Sequence, residues 1–301
     1  MNTKEIEYIL AVAEEGNITR AAQRLYIAQP SLSQCIQKIE TQLGAKLFVR
    51  ASTGLTLTYA GELFLASASK ILKIYRDLEN SIFDINQMKA GRLVVGTPFL
   101  LGSQVLPLIY PIYRSKYPTI QIQLIEESAL SLEHSLLNGK IDLAVFPLPL
   151  SLPNIEYEVL SVSRMVICVP PHSELLSHVN PEDNSFDITV LNNQPFILGY
   201  PGQRTRQVAD AILNAAGVSV KTVLLTRSVE TAARLSFSGL GFAILPESYI
   251  KHYSIPHVNY FYIPPRYSIA WTVIAAYQNS AYLSLAAQKF ITELKDSCKE
   301  L

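Results

Sequence analysis

The chain has 301 residues, 49% of them hydrophobic and 17% charged, with 25 Lys and Arg against 25 Asp and Glu. That length suits two or three domains with real cores, and the composition excludes a disordered or fibrous polymer. A net charge of zero argues against a broad polybasic surface, although a sum over the chain hides any local patch.

Cys35, Cys168 and Cys298 are odd in number and far apart, so neither a disulfide framework nor a metal site is expected. The opening MNTKEIEYILAVAEEG carries acids inside its apolar stretch and does not read as a signal peptide. No run approaches the roughly 20 apolar residues that cross a bilayer. The expectation is a soluble protein of a reducing cytoplasm.

Residues 1–58 read as short helices followed by a hairpin. Ile6, Ile9, Leu10 and Ala13 recur at helical spacing and Gly16 suits a stop. Thr19 is placed to cap a second helix through Ala21, Ala22 and Leu25. Pro30 fits the first turn of a third, where its missing N–H costs nothing. Leu32, Ile36, Ile39 and Leu43 form that helix's apolar stripe and Gly44 ends it. LFVRASTGLTLT then reads as two short strands around Thr53-Gly54.

In residues 59–89, Phe64, Ala68, Ile71, Tyr75, Leu78, Ile82 and Ile85 are spaced 4-3-4-3-4-3. This is a heptad seam on a helix without internal proline. A single stripe with no neighbour to cover it calls for a partner, so a dimerisation helix is preferred to one packed on its own domain.

From GRLVVGTPF onward, strands alternate with helices. Strand candidates are 93–96, 120–125, 142–146, 165–169, 195–198, 220–226, 241–245 and 270–276, with helices near 102–116, 130–138, 204–216, 229–238 and 281–297. The alternation predicts open α/β sheets. Crossings near 146–162 and 262–270 predict one subdomain inserted into another, with a cleft between.

The third helix carries the chemical signal. On a helical wheel Pro30, Gln34, Gln37 and Thr41 lie opposite the apolar stripe, with Ser31, Ser33 and Lys38 on the flanks. Such a face makes few ion pairs, but amides and hydroxyls both donate and accept, which suits base edges and phosphates. A helix of this kind behind a short turn at 27–29 fits the major groove, its N-terminal residues deepest.

ITRAAQRLYIAQPSLSQCIQKIETQLGAKLFVR, followed by LTLTYAG, resembles the N-terminal winged helix-turn-helix of LysR-type transcriptional regulators. The likeness rests on Ala21-Ala22, Leu25, Gln29-Pro30-Ser31, Ser33, Ile36, Ile39-Glu40, Leu43-Gly44, Leu47-Phe48, Arg50, Leu57-Thr58 and Ala60-Gly61. It implies an α/β protein with three parts: a DNA-binding domain (1–58), a long dimerisation linker helix (59–89) and a periplasmic-binding-protein-like effector domain (90–301). The last comprises subdomain I (90–161 and 268–301) and subdomain II (162–267). GLGFAILPES at 239–248 is similar to a glycine-rich turn and strand late in that domain.

By that resemblance Gln29, Pro30, Ser31, Ser33, Gln34 and Gln37 stand at recognition-helix positions and Arg50 in the wing, while Thr19, Arg20 and Lys38 hold the DNA backbone. Asn17 departs from the family's usual serine, and Cys35 from a larger or polar residue. Residues 1–58 hold six basic side chains (4, 20, 24, 38, 46, 50) against five acids (5, 7, 14, 15, 40), a net +1. So small a charge makes affinity depend on dimers and more than one half-site.

The effector-contact regions match by position at Thr97, Phe99, Leu100, Ser103, Ser128, Phe146, Pro147, Tyr200, Pro201, Gly202, Arg204 and Val229. Arg204, Arg206 and Arg227 can hold a carboxylate at helix starts. Phe99, Leu100, Phe146 and Tyr200 favour a hydrophobic or aromatic effector. The further implied partners are double-stranded promoter DNA, a second copy or a tetramer, and RNA polymerase; no cofactor is implied. An enzyme is not expected: the five histidines are scattered, and there is no P-loop, H-E-x-x-H or G-x-S-x-G. The alternative is a small-molecule-binding protein of periplasmic-binding-protein ancestry without a regulatory role. It accounts for the two-lobed half but leaves residues 1–89 without a purpose.

Overall fold

The computed structural model describes residues 1–51, 54–85, 91–252, 259–279 and 282–297. Thr53 of the expected hairpin tip, the side chain of Ile85, residues 86–89 of the expected linker, His257 and Cys298 lie outside them. The chain forms two compact units, one of Met1–Gln87 with Asn138–Lys140 and one of Met88–Leu137 with Ile141–Leu301.

The first unit comprises α1 (Thr3–Glu15), α2 (Ile18–Arg24), α3 (Gln29–Leu43), the strands β1 (Phe48–Ala51) and β2 (Gly54–Leu57), and α4 (Tyr59–Ile85). Helix α1 starts with a reciprocal cap: the Asn2 side-chain oxygen accepts from the Glu5 amide at 2.9 Å, and the Glu5 carboxylate accepts from the Asn2 amide at 2.8 Å. Helix α2 is capped by Asn17 rather than Thr19. The Asn17 side-chain oxygen accepts from the amides of Thr19 and Arg20 at 2.8 and 3.1 Å. Asparagine caps as well as serine does, so the departure at this position is chemically silent.

The turn after α2 closes through Tyr26 N–H to Gln23 C=O (3.1 Å) and Ile27 N–H to Ala22 C=O (3.0 Å). This is the paired bonding of a Schellman motif, whose left-handed position usually belongs to glycine. Here Tyr26 occupies it, at φ +54°.

Ile9, Val12, Ala21, Ala22, Leu32, Ile36, Ile39 and Leu47 are buried together as the core. Leu43, expected in the same stripe, is exposed, because the last turn of α3 runs past the core. β1 and β2 pair antiparallel as expected, from Phe48–Leu57 to Ala51–Gly54.

Residues 46–48 are fastened from two sides. Buried Glu40 near the end of α3 accepts from the Leu47 amide at 2.9 Å, and Lys46 meets its other oxygen at 2.7 Å. From the far side, the Leu47 carbonyl accepts from the Thr58 amide at 2.9 Å. A Cβ at Gly61 would fall far inside contact distance of that same carbonyl, so only glycine lets α4 pass so close. Along α4, Phe64 packs on the core and Ala68 is buried. Ile71, Tyr75, Leu78 and Ile82 are each 45–55% exposed in the single chain.

The second unit follows as β3 (Gly91–Thr97), α5 (Phe99–Lys116), β4 (Ile120–Glu126), α6 (Ala129–Leu137), β5 (Leu143–Pro147), β6 (Ile155–Cys168), β7 (Val179–Asn180), β8 (Ser185–Phe186), β9 (Pro195–Leu198), α7 (Arg204–Ala215), β10 (Lys221–Leu225), α8 (Val229–Phe237), β11 (Ala243–Pro246), α9 (Glu247–His252), β12 (Tyr260–Tyr262), β13 (Ala270–Gln278) and α10 (Leu285–Ser297). In the first lobe the strand order is β4-β3-β5-β13-β6, with β3 parallel to β4 and β5, and β13 antiparallel to β5 and β6. The second lobe is built on the end of β6, where Met165–Cys168 pairs with β11 on one side and Val166–Cys168 with β12 on the other. The parallel pair β9–β10 joins it through a bridge from Phe196 to Phe242.

Strand β6 therefore belongs to both lobes. The sequence predicts this strand only over 165–169, with a crossing between subdomains near 146–162. The missed half pairs with β13 across a register shift between Val273 and Ile274. Such a bulge breaks the period-2 pattern by which strands are recognised. In the first lobe Val94, Leu132, Leu136, Ala144, Phe146 and Ile274 pack as one cluster. The Tyr113 hydroxyl donates to the Ala286 carbonyl at 3.0 Å, joining α5 to α10.

Candidate nucleic-acid interface and ligand cleft

On α3, Gln29, Pro30, Ser31, Gln34 and Gln37 are exposed and Ser33 is half-buried. The Gln29 side-chain amide donates to the Ser33 hydroxyl at 2.8 Å. The Thr41 hydroxyl is spent on the Gln37 carbonyl at 2.7 Å. Thr19 and Arg20 are exposed at the start of α2, and Arg50 on β1.

The basic side chains are mostly answered by acids. Lys38 lies 2.6 Å from Glu5; their hydrogen bond holds the glutamate's pKa below, and the lysine's above, the ordinary values. Arg20 donates to the Glu15 carbonyl and faces its carboxylate at 3.8 Å. Arg24 meets Glu14 at 2.9 Å and Glu15 at 3.3 Å, and the bond to Glu14 leads in raising its pKa. Among the described residues Lys4 and Arg50 make no ion pair, so Arg50 is the free cation among the expected contacts. A count of charges along the sequence does not show this internal neutralisation.

In the second unit, the ends of β3, β4, β9 and β10 lead into the starts of α5, α6, α7 and α8. This is where α/β sheets place ligands. Thr97 is buried, Phe99 exposed and Leu100 half-buried, while the exposed Ser103 donates its hydroxyl to the Leu100 carbonyl at 2.8 Å. The Ser128 and Ser131 hydroxyls bond to each other at 2.8 Å. Tyr200, Pro201 and Gly202 are exposed, and the Arg227 guanidinium stands 5.4 Å over the Tyr200 ring. A small pocket lined by Leu198, Gly199, Thr205, Thr226, Ser228 and Val229 opens between the starts of α7 and α8.

Three expected ligand residues are placed differently. Phe146 and Pro147 are buried in β5, with Phe146 packed into the core against Leu132 and Ile274. An apolar strand end is as suited to a core as to a pocket wall, and the sequence could not separate the two. Arg204 is committed elsewhere. It donates to the Glu133 carboxylate, to the Ser151 hydroxyl at 3.1 Å and to the Gln207 side-chain oxygen at 2.8 Å. The other Glu133 oxygen accepts from the amides of Ser151 and Leu152 at 2.8 Å. The two side chains are 4% and 0% exposed. Burial lowers the Arg204 pKa, against the opposing pull of Glu133.

Arg206 is also engaged. It holds both Asp210 oxygens at 2.8 Å and reaches the Gly199 carbonyl at 3.2 Å. Of the three arginines that could take a carboxylate, only Arg227 has no anionic partner among the described residues. Glu133 was absent from the expected site because nothing in its local sequence marks it; only the tertiary fold brings it to Arg204.

Residues 3–62 match the model of the bacterial regulatory helix-turn-helix protein, lysR family, and residues 86–299 match that of the LysR substrate binding domain. The chain belongs to the LysR family. It is a DNA-binding transcriptional regulator with an effector-binding domain, as the resemblance implied. Across its whole length it is 30% identical to the HTH-type transcriptional regulator YcgK of Bacillus subtilis (strain 168), covering 96% of that protein. Among solved structures it is similar to a full-length OxyR from Pseudomonas aeruginosa: 25% identity, TM-score 0.73, 99% of this chain and 95% of that one. It also shares the fold of CbnR, a LysR family transcriptional regulator, at 21% identity and TM-score 0.65, with 99% of each chain covered. Among the described residues of this LysR-family chain no helix is long and apolar enough to cross a membrane, and no three His, Cys, Asp or Glu side chains gather as a metal site.

Proposed function

We propose that this LysR-family regulator works in the cytoplasm as a homodimer, assembling further to a tetramer, and reads promoter DNA with α3. Residues 1–58 bind the duplex, 59–89 pair with a second copy, and 90–301 take the effector between subdomain I (90–161 and 268–301) and subdomain II (162–267). Gln29, Pro30, Ser31, Ser33, Gln34 and Gln37 enter the major groove. Arg50 supplies charge from the wing, while Thr19, Arg20 and Lys38 flank the backbone. The observation that carries this reading is the exposed, uncharged amide and hydroxyl face of α3, set opposite the buried Leu32, Ile36 and Ile39.

Pairing through Phe64, Ile71, Tyr75, Leu78, Ile82 and Ile85 is supported by the exposure of Ile71, Tyr75, Leu78 and Ile82 on α4 in the single chain. The effector is a neutral hydrophobic or aromatic molecule rather than a carboxylate, since Arg204 and Arg206 are already paired, Arg227 lies over the Tyr200 ring, and Phe99 and Tyr200 offer apolar surface. It meets Thr97, Phe99, Leu100, Ser103, Ser128, Tyr200, Pro201, Gly202 and Val229. By preferring one arrangement of the lobes it changes promoter occupancy or contact with RNA polymerase.

The test uses the full chain. A duplex selected by the protein from a random pool is titrated against an unselected duplex of equal length, and specific binding should be at least about a thousandfold tighter. Equal affinities would sink the readout. Leu78→Asp should halve the mass seen by light scattering; an unchanged mass would remove the pairing role. In a thermal-shift screen of matched acids and amides, such as benzoate and benzamide, the neutral members should raise the melting point. Stabilisation by the acids alone would reverse the effector assignment.

A further inference from the structure

The left-handed position that closes the turn between α2 and α3 is occupied by Tyr26, at φ +54°. Glycine or asparagine takes that backbone with less strain, and the hydrogen bonds of the turn, from the Tyr26 and Ile27 amides, do not involve the side chain. Nor does the ring help the fold by packing. It is 96% exposed, the highest value among the exposed large hydrophobic side chains. Among the described residues its ring stacks on no aromatic group and under no cation, and its hydroxyl makes no hydrogen bond. A bulky aromatic group is thus held in an unfavourable backbone conformation and given nothing inside the molecule to touch. Backbone strain of this kind persists where it serves a function.

The position points to what the side chain touches. Tyr26 closes the turn that leads into α3, and Gln29, the first residue of that helix, is three residues further on, at most about 10 Å of chain away. If the first residues of α3 enter the major groove, as proposed above, the residue just ahead of them lies at the lip of the groove, where a phosphate strand runs. A tyrosine hydroxyl is a phosphate donor of the kind that fixes register without carrying base information. We infer that Tyr26 is a DNA-contacting residue whose phenol hydroxyl donates to a backbone phosphate beside the recognition helix. The strain at its backbone is the cost of projecting that donor into solvent.

This inference rests on docking through α3, and the test keeps the two apart. Anisotropy titrations with the selected duplex and the random duplex are run on the native chain, Tyr26→Phe and Tyr26→Asn. Both variants should lose about tenfold in affinity for both duplexes alike, as expected for one hydrogen bond to a charged group. The slope of log affinity against log salt should stay at its native value, because no cation is removed. Tyr26→Asn, which suits the left-handed backbone, should melt no lower than the native protein. Native affinity in Tyr26→Phe would overturn the phosphate contact, as would a loss confined to the selected sequence. A lower melting point in Tyr26→Asn would show the side chain to be structural after all. If the native chain itself fails to prefer its selected duplex, the docking reading falls instead.

Discussion

Across one turn of the recognition helix, the Gln29 side-chain amide donates to the Ser33 hydroxyl at 2.8 Å. Two groups proposed to face nucleobases are thereby oriented by each other in the protein alone. A preorganised pair loses less rotamer freedom on binding than two independent side chains.

Gln29→Ala and Ser33→Ala should each reduce discrimination between selected and random duplex by about 1–3 kcal/mol. Because each residue orients the other, the double variant should lose less than the sum of the singles. Strict additivity in the binding cycle would mean that the bond has no role in readout.

The Lys38–Glu5 contact gives a prediction opposite in sign. Glu5→Gln keeps a side chain suited to the reciprocal cap of α1 but removes the charge that holds Lys38 at 2.6 Å. Affinity for random DNA should rise, and its salt dependence should steepen. By the same reasoning Arg50→Ala should flatten the salt slope more than Lys38→Ala, since only Lys38 has a carboxylate to leave. Equal slopes in the two alanine variants would contradict this ranking.

Acid should loosen the first unit through Glu40. Burial alone would raise its pKa, but Lys46 and the amides of Leu47 and Phe48 together hold it below the ordinary 4.5. A depressed carboxylate contributes stability above its unfolded value and loses it as pH falls through the folded one. Unfolding midpoints of the native chain should therefore decline from about pH 4.5 downward, whereas Glu40→Gln should respond less steeply. At neutral pH the same variant should be less stable by about 1.5–3 kcal/mol, the worth of hydrogen bonds to a charged group. Parallel pH profiles would show that the carboxylate's ionisation does not matter.

Glu133 and Arg204 should be costly to separate. Removing one member of a buried ion pair leaves the other charge without a partner, at about 3–5 kcal/mol. Denaturant titration of Glu133→Gln and Arg204→Ala should show that loss, and a native midpoint in both would refute it. Combining Glu133→Leu with Arg204→Met should recover part of the loss, because no lone charge then remains.

Features governed by local rules could be read from the sequence. The apolar stripe of α3, its proline start and its glycine stop follow from helix geometry, and the unbroken helix α4 from its sustained heptad spacing. Features decided by distant partners could not. Thr19 was a sound cap by type, but Asn17 lay one residue ahead of the helix and reached two amides. Leu43 fits the stripe by periodicity, yet burial depends on where the core ends. Arg204 resembles an anion binder at a helix start until Glu133, 71 positions away in sequence, is folded against it.

The fastening of residues 46–48 between Glu40 and Thr58 has a mechanical consequence. Tied together there, α3 and the 27-residue α4 would turn as one lever, whose long arm is about 40 Å at 1.5 Å per residue. Swinging that arm by about 10° carries its tip some 7 Å, roughly two base-pair steps of about 3.4 Å. With α3 docked on DNA as proposed, a modest rotation far from the duplex would be enough to take a half-site out of phase.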